Sequence, residues 1–162
     1  GKSVEEVTGR GAGLSSAGLG KKIRTIKKAI ELNRPNPNDA VDVLAKVGGF
    51  DLAGMTGVFL GGAYYHVPVV IDGFISLAAA LCASRISPAA CDYMIASHIS
   101  NEPASKMLLE TLHKDAFLTC DMCLGEGTGA VALFPLLDMA CSVYEEMSTF
   151  EDNSIDAYQP LS

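Results

Sequence analysis

Short apolar runs alternate along the chain with longer stretches in which apolar residues recur at helical spacing. The runs at 67–71, 93–96 and 117–122 predict three strands. The first is β-branched without polar alternation, as expected of a strand buried on both faces. Apolar residues three and four positions apart predict helices in the other stretches. These helices cover 15–30, 39–47, 50–65, a stretch ending near Ser84, a short piece from Pro88, 104–113 and 130–147.

The order of these elements indicates the fold class. A strand, a glycine-rich or polar loop and a helix follow one another repeatedly, and no hairpin signal separates the strands. This order predicts an α/β fold with a mostly parallel sheet flanked by helices, in a Rossmann-like three-layer arrangement. We expect one domain over residues 1–150 and an acidic tail over 151–162.

Two predicted helices have unusual compositions. The helix over 50–65 is rich in small residues, and because glycine destabilises helices, we expect these positions to pack closely against a neighbour. They are Ala53, Gly54, Gly57, Gly61, Gly62 and Ala63. The helix over 130–147 is apolar almost throughout, with Pro135 expected to kink its second turn. Its composition predicts burial on more than one side, and a dimer contact would provide it.

Composition favours a compact soluble domain. Of the 162 residues, 49% are hydrophobic and 19% are charged, which is enough apolar material for a core and excludes a disordered chain. The longest apolar stretch, 67–82, is interrupted by Asp72-Gly73, so no membrane-spanning segment is expected. The chain has no signal-peptide pattern and opens on Gly1 instead of Met. We therefore expect a cytoplasmic protein whose true N-terminus lies elsewhere.

The net charge of −7 is unevenly distributed. Residues 1–34 carry a net charge of +5 and residues 35–162 a net charge of −12. The basic part favours an anionic small molecule or a local acidic partner. The acidic remainder argues against a nucleic-acid surface.

The five cysteines favour a reduced intracellular protein. Their number is odd and most lie in apolar runs, so we expect buried thiols. Cys120 and Cys123 have the spacing of a metal or redox pair, but positions three apart in a strand point to opposite faces. No second cysteine pair and no histidine spacing completes a zinc site, so we expect no metal.

The most distinctive candidate for chemistry is the loop 124–130, between the third predicted strand and the last helix. Glycines at alternate positions let the backbone turn sharply and bring N–H groups close to a ligand. Glu126 stands in the middle of this turn. A carboxylate repels phosphate, so it suits a neutral part of a substrate with which it exchanges a proton. The alternative is a plain strand-to-helix turn with an exposed glutamate.

Other polar residues follow the predicted strands or the first glycine turn, 9–13. Ligands of parallel sheets bind at the carboxyl ends of strands, so Asp72 and Ser76 are site candidates, with helix capping and turn formation as the alternative. His98 is a candidate general base or a structural histidine. In the helix after Ser15, Lys21 or Lys22 can reach back over the glycine turn towards a phosphate, and the alternative is a solvated charge run.

Seven stretches in order resemble one enzyme family. They are Gly9-Arg-Gly-Ala-Gly-Leu14, Gly18-Leu-Gly-Lys-Lys-Ile23, Leu32-Asn-Arg-Pro35, Leu44-Ala-Lys-Val-Gly-Gly-Phe50, Val69-Val-Ile-Asp-Gly-Phe-Ile-Ser76, Ser97-His98 with Ser100, and Leu124-Gly-Glu-Gly-Thr-Gly-Ala130. This ordered set is similar to that of the nicotinate-nucleotide–dimethylbenzimidazole phosphoribosyltransferases, the CobT family, over nearly the whole chain.

The resemblance implies a reaction and roles for particular residues. The family transfers phosphoribose from nicotinate mononucleotide to 5,6-dimethylbenzimidazole, giving α-ribazole 5′-phosphate and nicotinate for the lower ligand of cobalamin. Glu126 matches the family's general base, Lys22 its phosphate-side lysine, and Gly73 and Ser100 its phosphate neighbours. The remaining residues expected to bind substrate are Leu124, Gly125, Gly127 and Thr128. The resemblance implies no cofactor and no metal, and we expect a homodimer.

The chain departs from the family pattern in three respects. Ala12 stands where the family commonly has threonine, and Cys123 stands where it commonly has arginine. Family members are also roughly twice as long, so the chain resembles their C-terminal half and is expected to act together with the missing N-terminal half. The alternatives are a non-catalytic nucleotide-binding or oligomerisation fragment of such an enzyme, and a different nucleotide-dependent enzyme on a similar sheet.

Overall fold

A computed structural model describes residues 1–11, 13–122, 124–156 and 159. Seven α-helices, two strands and one 3₁₀ helix follow one another in these ranges. They are α1 (Val4–Val7), α2 (Ser16–Asn33), α3 (Ala40–Val47), α4 (Phe50–Tyr65), β1 (Val69–Ile71), α5 (Phe74–Ile86), the 3₁₀ helix (Pro88–Tyr93), β2 (Met94–Ala96), α6 (Ser105–Thr111) and α7 (Thr128–Glu146). The predicted α/β class is confirmed.

Short polar side chains fix where the first helices begin. Ser3 and Glu6 form a capping box on α1, and the Ser15 hydroxyl accepts from the Gly18 N–H at 3.2 Å to cap α2. Asp39 caps α3 by accepting from the N–H groups of Val41 and Asp42 in its first turn. Such caps satisfy N–H groups that the helix itself cannot pair. The helix expected after Ser15 therefore begins there.

The sheet is small and parallel. Strand β1 pairs with β2 in the register Val69–Met94 to Ile71–Ala96. The predicted strand at 117–122 is wrong for the described residues, because Leu118 forms only an isolated parallel bridge with His98. Asp121 then takes a left-handed conformation, with φ of 48°, which turns the backbone out of strand geometry.

The core lies between α5 and its neighbours. Leu77, Ala79, Ala80 and Ala83 on α5 are fully buried, and the small side chains of the three alanines let α4 approach closely. The Thr56 hydroxyl of α4 donates to the Leu52 carbonyl at 2.8 Å, and its oxygen lies 3.3 Å from the Ala79 carbonyl oxygen across this contact.

The glycines of α4 fall into two groups. Gly62 is buried against Val69 and the carbonyl of Val67, so close packing is confirmed there. Gly54 and Gly57 are exposed and face open space, so the same prediction is wrong for them. Nothing among the described residues covers that side of α4.

Helix α7 is also more exposed than predicted. It continues through Pro135 to Glu146, but only Gly129 and Leu133 are buried. Burial on more than one side is therefore wrong for this chain alone, because only the start of the helix packs on the described residues. The large apolar side chains that remain exposed are Val131, Phe134, Leu136, Met139, Val143 and Tyr144.

The cysteines are only partly buried. Cys82 and Cys91 are half-buried, whereas Cys120 and Cys141 are exposed, so the prediction of buried thiols is wrong for the latter pair. Cys123 lies outside the described residues, as does Ala12.

Within the described ranges, no three histidine, cysteine, aspartate or glutamate side chains gather closely enough to hold a metal ion. In the same ranges, no helix has both the length and the apolar character needed to cross a membrane.

Candidate functional site

A cavity of about 1040 Å³ lies where the loops after β1 and β2 meet the loop before α7. Seven of the eight residues predicted from the sequence line it. They are Lys22, Gly73, Ser100, Leu124, Gly125, Glu126 and Gly127. Thr128 does not line the cavity; its hydroxyl donates to the Gly125 carbonyl at 2.7 Å and so supports the loop. The fold therefore gathers residues that are far apart in the sequence.

The Gly125–Gly127 loop holds an unusual conformation. Gly125, Glu126 and Gly127 have φ values of 77°, 57° and 78°, so all three are left-handed. This conformation suits glycine but costs a residue with a Cβ about 1 kcal/mol. The Thr128 N–H donates to the Gly125 carbonyl at 3.0 Å and closes the turn. As a result, the exposed Glu126 side chain stands on the cavity wall.

Asp72 connects the end of β1 to this loop. Its Oδ2 accepts from the Gly127 N–H at 3.2 Å, and its Oδ1 accepts from the Ala130 N–H at 3.0 Å. The sequence left Asp72 as either a site residue or a local cap. In the structure it caps α7, a helix that begins more than fifty residues later, and it also lines the cavity.

The N-terminus of α5 offers a different environment. Gly73 precedes this helix and provides no side-chain cap, and the first residues of the helix, Phe74 and Ile75, line the cavity. Uncapped N–H groups at a helix start attract anions. The start of α7 is already occupied by the Asp72 carboxylate, so an anionic group is favoured at α5 and disfavoured beside α7.

Lys22 adds positive charge near the first glycine turn. Its Nζ donates to the Gly9 carbonyl at 3.0 Å, and the side chain is half-buried at the cavity wall. Lys21 is exposed and does not line the cavity. Of the two lysines that the sequence offered, Lys22 is therefore the one that reaches back over the turn.

Glu102 is a cavity residue that the sequence reasoning missed. Its Oε1 accepts from the Gly11 N–H at 3.1 Å, which ties the first glycine turn to the loop after β2. In the sequence, only its position in the polar segment 97–103 pointed to Glu102 as a site residue. No local spacing links Glu102 to a glycine 91 residues earlier.

His98 has the surroundings of a structural residue. The residue is 4% exposed, and Nδ1 of its ring lies 3.0 Å from the Ser97 hydroxyl. That hydroxyl lies 2.7 Å from the Ile71 carbonyl and 2.9 Å from the Asp72 carbonyl, so its proton is directed at β1. The Nδ1–H of His98 then donates to the hydroxyl oxygen. Of the two alternatives from the sequence, this geometry favours the structural one over a general base.

Much of the cavity wall is apolar. The aliphatic and aromatic side chains that line it are those of Val4, Val7, Ile26, Ile30, Met55, Val58, Phe59, Val69, Val70 and Phe74. Leu124, two residues before Glu126, also lines the cavity. A flat apolar ligand with one N–H group can therefore lie on this surface while its polar edge meets the carboxylate.

An α/β domain with an uncapped helix start, a lysine and a carboxylate around one cavity is typical of proteins that bind a phosphorylated ligand and act on it. Comparison with known proteins identifies the family within this class. A family model described as phosphoribosyltransferase (DBI_PRT) matches residues 1–155, so the chain belongs to this family.

Individual relatives carry a more specific name. The chain is 51% identical over 161 residues to the nicotinate-nucleotide–dimethylbenzimidazole phosphoribosyltransferase of Ruminiclostridium cellulolyticum, covering 99% of the chain and 46% of that protein. It is 48% identical to the enzyme of the same name from Escherichia coli O157:H7, covering 96% of the chain and 43% of that protein. The crystal structure of CobT from Thermus thermophilus matches with a TM-score of 0.86 and 37% identity, over 94% of the chain and 45% of that structure. The chain thus spans less than half the length of these relatives.

Proposed function

We propose that this chain is one half of a nicotinate-nucleotide–dimethylbenzimidazole phosphoribosyltransferase, the half that carries the catalytic base. Its substrates are nicotinate mononucleotide and 5,6-dimethylbenzimidazole or a related base, and its products are α-ribazole 5′-phosphate and nicotinate. One observation carries the proposal: Glu126 lies on a fixed loop facing the same cavity as Lys22 and the uncapped start of α5. The names of the relatives support the identity of the substrates.

The reaction needs a phosphate anchor and a proton acceptor. Lys22, the N–H groups after Gly73 and the loop of Ser100 bind the 5′-phosphate and fix the ribose. A ring nitrogen of the base attacks ribose C1′, the bond from C1′ to the nicotinate nitrogen breaks, and its electrons return to the nicotinate ring. The attacking imidazole becomes cationic, so the N–H on its other nitrogen becomes acidic. Glu126 stabilises that charge and takes the proton.

The apolar wall of the cavity supports a benzimidazole-type acceptor. Met55, Phe59 and Phe74 give the fused ring an apolar surface in the cavity that Glu126 also lines. A purine carries more polar edge atoms, which this surface does not hydrogen-bond, so we rank it below dimethylbenzimidazole as an acceptor.

The exposed apolar surfaces support a larger assembly. Helix α7 exposes Phe134 and Tyr144, and α4 exposes Phe50, Gly54 and Gly57. In the described residues β1 pairs only with β2. We infer that the remainder of a longer polypeptide adds strands and helices here to give a Rossmann-like three-layer domain, and that the whole protein is a cytoplasmic homodimer. Exposed apolar areas of this kind usually mark protein contacts.

Replacing Glu126 by Gln tests the proposal. In the native polypeptide that contains this chain, formation of α-ribotide from nicotinate mononucleotide and dimethylbenzimidazole should fall by about 10²–10⁴-fold, the usual contribution of a general base. Glu110→Gln removes the same charge from an exposed position on α6 and should leave turnover unchanged. Wild-type turnover in Glu126→Gln would exclude the role assigned to Glu126.

A second function is a non-catalytic nucleotide-binding or oligomerisation fragment. It is the function expected if the native polypeptide is no longer than this chain, which spans 46% of a relative. Intact-mass measurement of the native polypeptide separates the two cases. A mass near twice that of this chain supports the enzyme, and a mass of about 17.0 kDa supports the fragment.

A further inference from the structure

Both oxygens of the Asp72 carboxylate are used by the backbone of the Glu126 loop. Oδ2 accepts from Gly127, the residue that directly follows Glu126, and Oδ1 accepts from Ala130 in the first turn of α7. The two bonds, at 3.2 and 3.0 Å, hold the loop on either side of the point where the helix begins. A single side chain next to β1 therefore restrains the loop at two points.

The loop has few other restraints. Gly127 precedes α7 and offers no side chain to cap it. Three successive left-handed residues, with Glu126 in the middle, lie in a region of backbone space that is unfavourable for a residue with a Cβ. A carboxylate placed at a helix N-terminus is favoured by the helix dipole as well as by the hydrogen bonds. Asp72 thus provides from a distance the cap that the local sequence lacks.

The backbone of Asp72 lies beside the start of α5. The Ser97 hydroxyl lies 2.7 Å from the Ile71 carbonyl oxygen and 2.9 Å from that of Asp72, and the next residue, Gly73, precedes the uncapped N-terminus of α5. One residue therefore joins the start of α5 to the loop that carries the carboxylate. Its backbone belongs to the first and its side chain binds the second.

We propose that Asp72 is a positioning residue, which sets the distance between the phosphate anchored at α5 and the carboxylate of Glu126. This inference rests on the proposed function, because it assigns Asp72 a task in that reaction. It assigns Asp72 no proton transfer and no contact with the acceptor base. Misplacing a catalytic group by about 1 Å costs on the order of 10²-fold in rate.

Kinetics in the native polypeptide test the positioning role. Asp72→Asn turns one acceptor oxygen into a donor facing an N–H group, so kcat should fall on the order of 10²-fold while KM for nicotinate mononucleotide changes little. Asp115→Asn, the matched control, removes a charge from an exposed site after α6 and should retain wild-type kcat. Adding Asp72→Asn to Glu126→Gln should cost almost nothing more, because the misplaced group is already inert. If kcat of the double variant falls by the product of the two single-variant factors, the proposal is overturned.

Amide hydrogen exchange in the wild-type protein gives a readout that needs neither turnover nor a variant. The Gly127 N–H lies outside the hydrogen bonds of α7 and is paired with Asp72, so its protection reports on this contact. Protection of Gly127 and Ala130 comparable to that of interior α7 amides supports the proposal. Free exchange at Gly127 overturns it, even if the enzyme is active. Protected amides in a protein without transferase activity would instead contradict the proposed function and leave the contact intact.

Discussion

The ring of His98 lies directly against the α carbon of Gly129. A methyl group built on Gly129 would overlap with Nδ1 of His98 and would lie 3.0 Å from Oδ1 of Asp72. Gly129 occupies the first turn of α7 and is buried. This close approach lets the start of the helix rest on the end of β2, within reach of the Asp72 carboxylate. The position of the Glu126 loop therefore depends on the absence of one side chain.

Replacing Gly129 by Ala should destabilise the chain. In an unobstructed helix this change stabilises by about 0.5–1 kcal/mol, whereas overpacking a filled site costs about 1–3 kcal/mol. Because the ring of His98 is held by Ser97 and is buried, we expect the second effect to dominate. Urea unfolding of the two proteins measures the difference. In a His98→Ala background, Gly129→Ala should lower the free energy of unfolding much less. An equally large decrease there would contradict a clash with the His98 ring.

Two glycines of α4 should respond in opposite directions to alanine. A Cβ on Gly62 would overlap with a methyl group of Val69 and would lie 2.8 Å from the Val67 carbonyl oxygen, so Gly62→Ala should destabilise by about 1–3 kcal/mol. Gly57 meets no atom within 4 Å, so Gly57→Ala should stabilise by about 0.5–1 kcal/mol through helix propensity. Thermal and urea unfolding of this chain provide the comparison. Equal effects at the two positions would show that α4 lies differently on β1.

These positions show what the sequence could and could not predict. Local patterns located the helices and both strands, because capping residues and helical spacing act over a few residues. The third predicted strand failed, since a run such as 117–122 becomes a strand only when a neighbour pairs along its whole length. Likewise, the composition of α7 predicted burial, but burial depends on whichever surface meets the helix. Composition cannot tell a core from a contact with another polypeptide.

The residues of the candidate site also fall into those that the sequence could predict and those that it could not. The glycine loop and Glu126 were visible in the sequence, because chain reversal and a carboxylate are local features. The tasks of Asp72 and Glu102 were not, since each side chain pairs with backbone N–H groups more than fifty residues away. Such pairings depend on tertiary structure and leave no spacing signal.

Alkylation should separate the cysteines by their surroundings. Burial raises the pKa of the Cys82 thiol, so less of it is thiolate at pH 8 and it should react slowly with iodoacetamide. Cys141 is exposed on α7 and has no comparable obstruction to the reagent. Mass spectrometry of peptides from this chain, treated briefly on its own, should therefore find Cys141 modified before Cys82. The reverse order would mean that α7 is covered in the protein as tested.

Glu102 should act on nucleotide binding through its hydrogen bond rather than through its charge. Its Oε1 accepts from the Gly11 N–H, and the same turn holds Lys22 through the Gly9 carbonyl. Glu102→Ala removes the acceptor, and losing one such bond, worth about 1 kcal/mol, should raise KM for nicotinate mononucleotide about five- to tenfold. Glu102→Gln keeps an acceptor oxygen and removes a negative charge from the anion-binding end, so its KM should equal or fall below that of the wild type. Initial rates at varied concentrations of nicotinate mononucleotide give KM for each variant. Glu110→Gln, on the exposed face of α6, is the control. If Gln raises KM as much as Ala, the charge of Glu102 contributes and the carboxylate must contact the ligand itself.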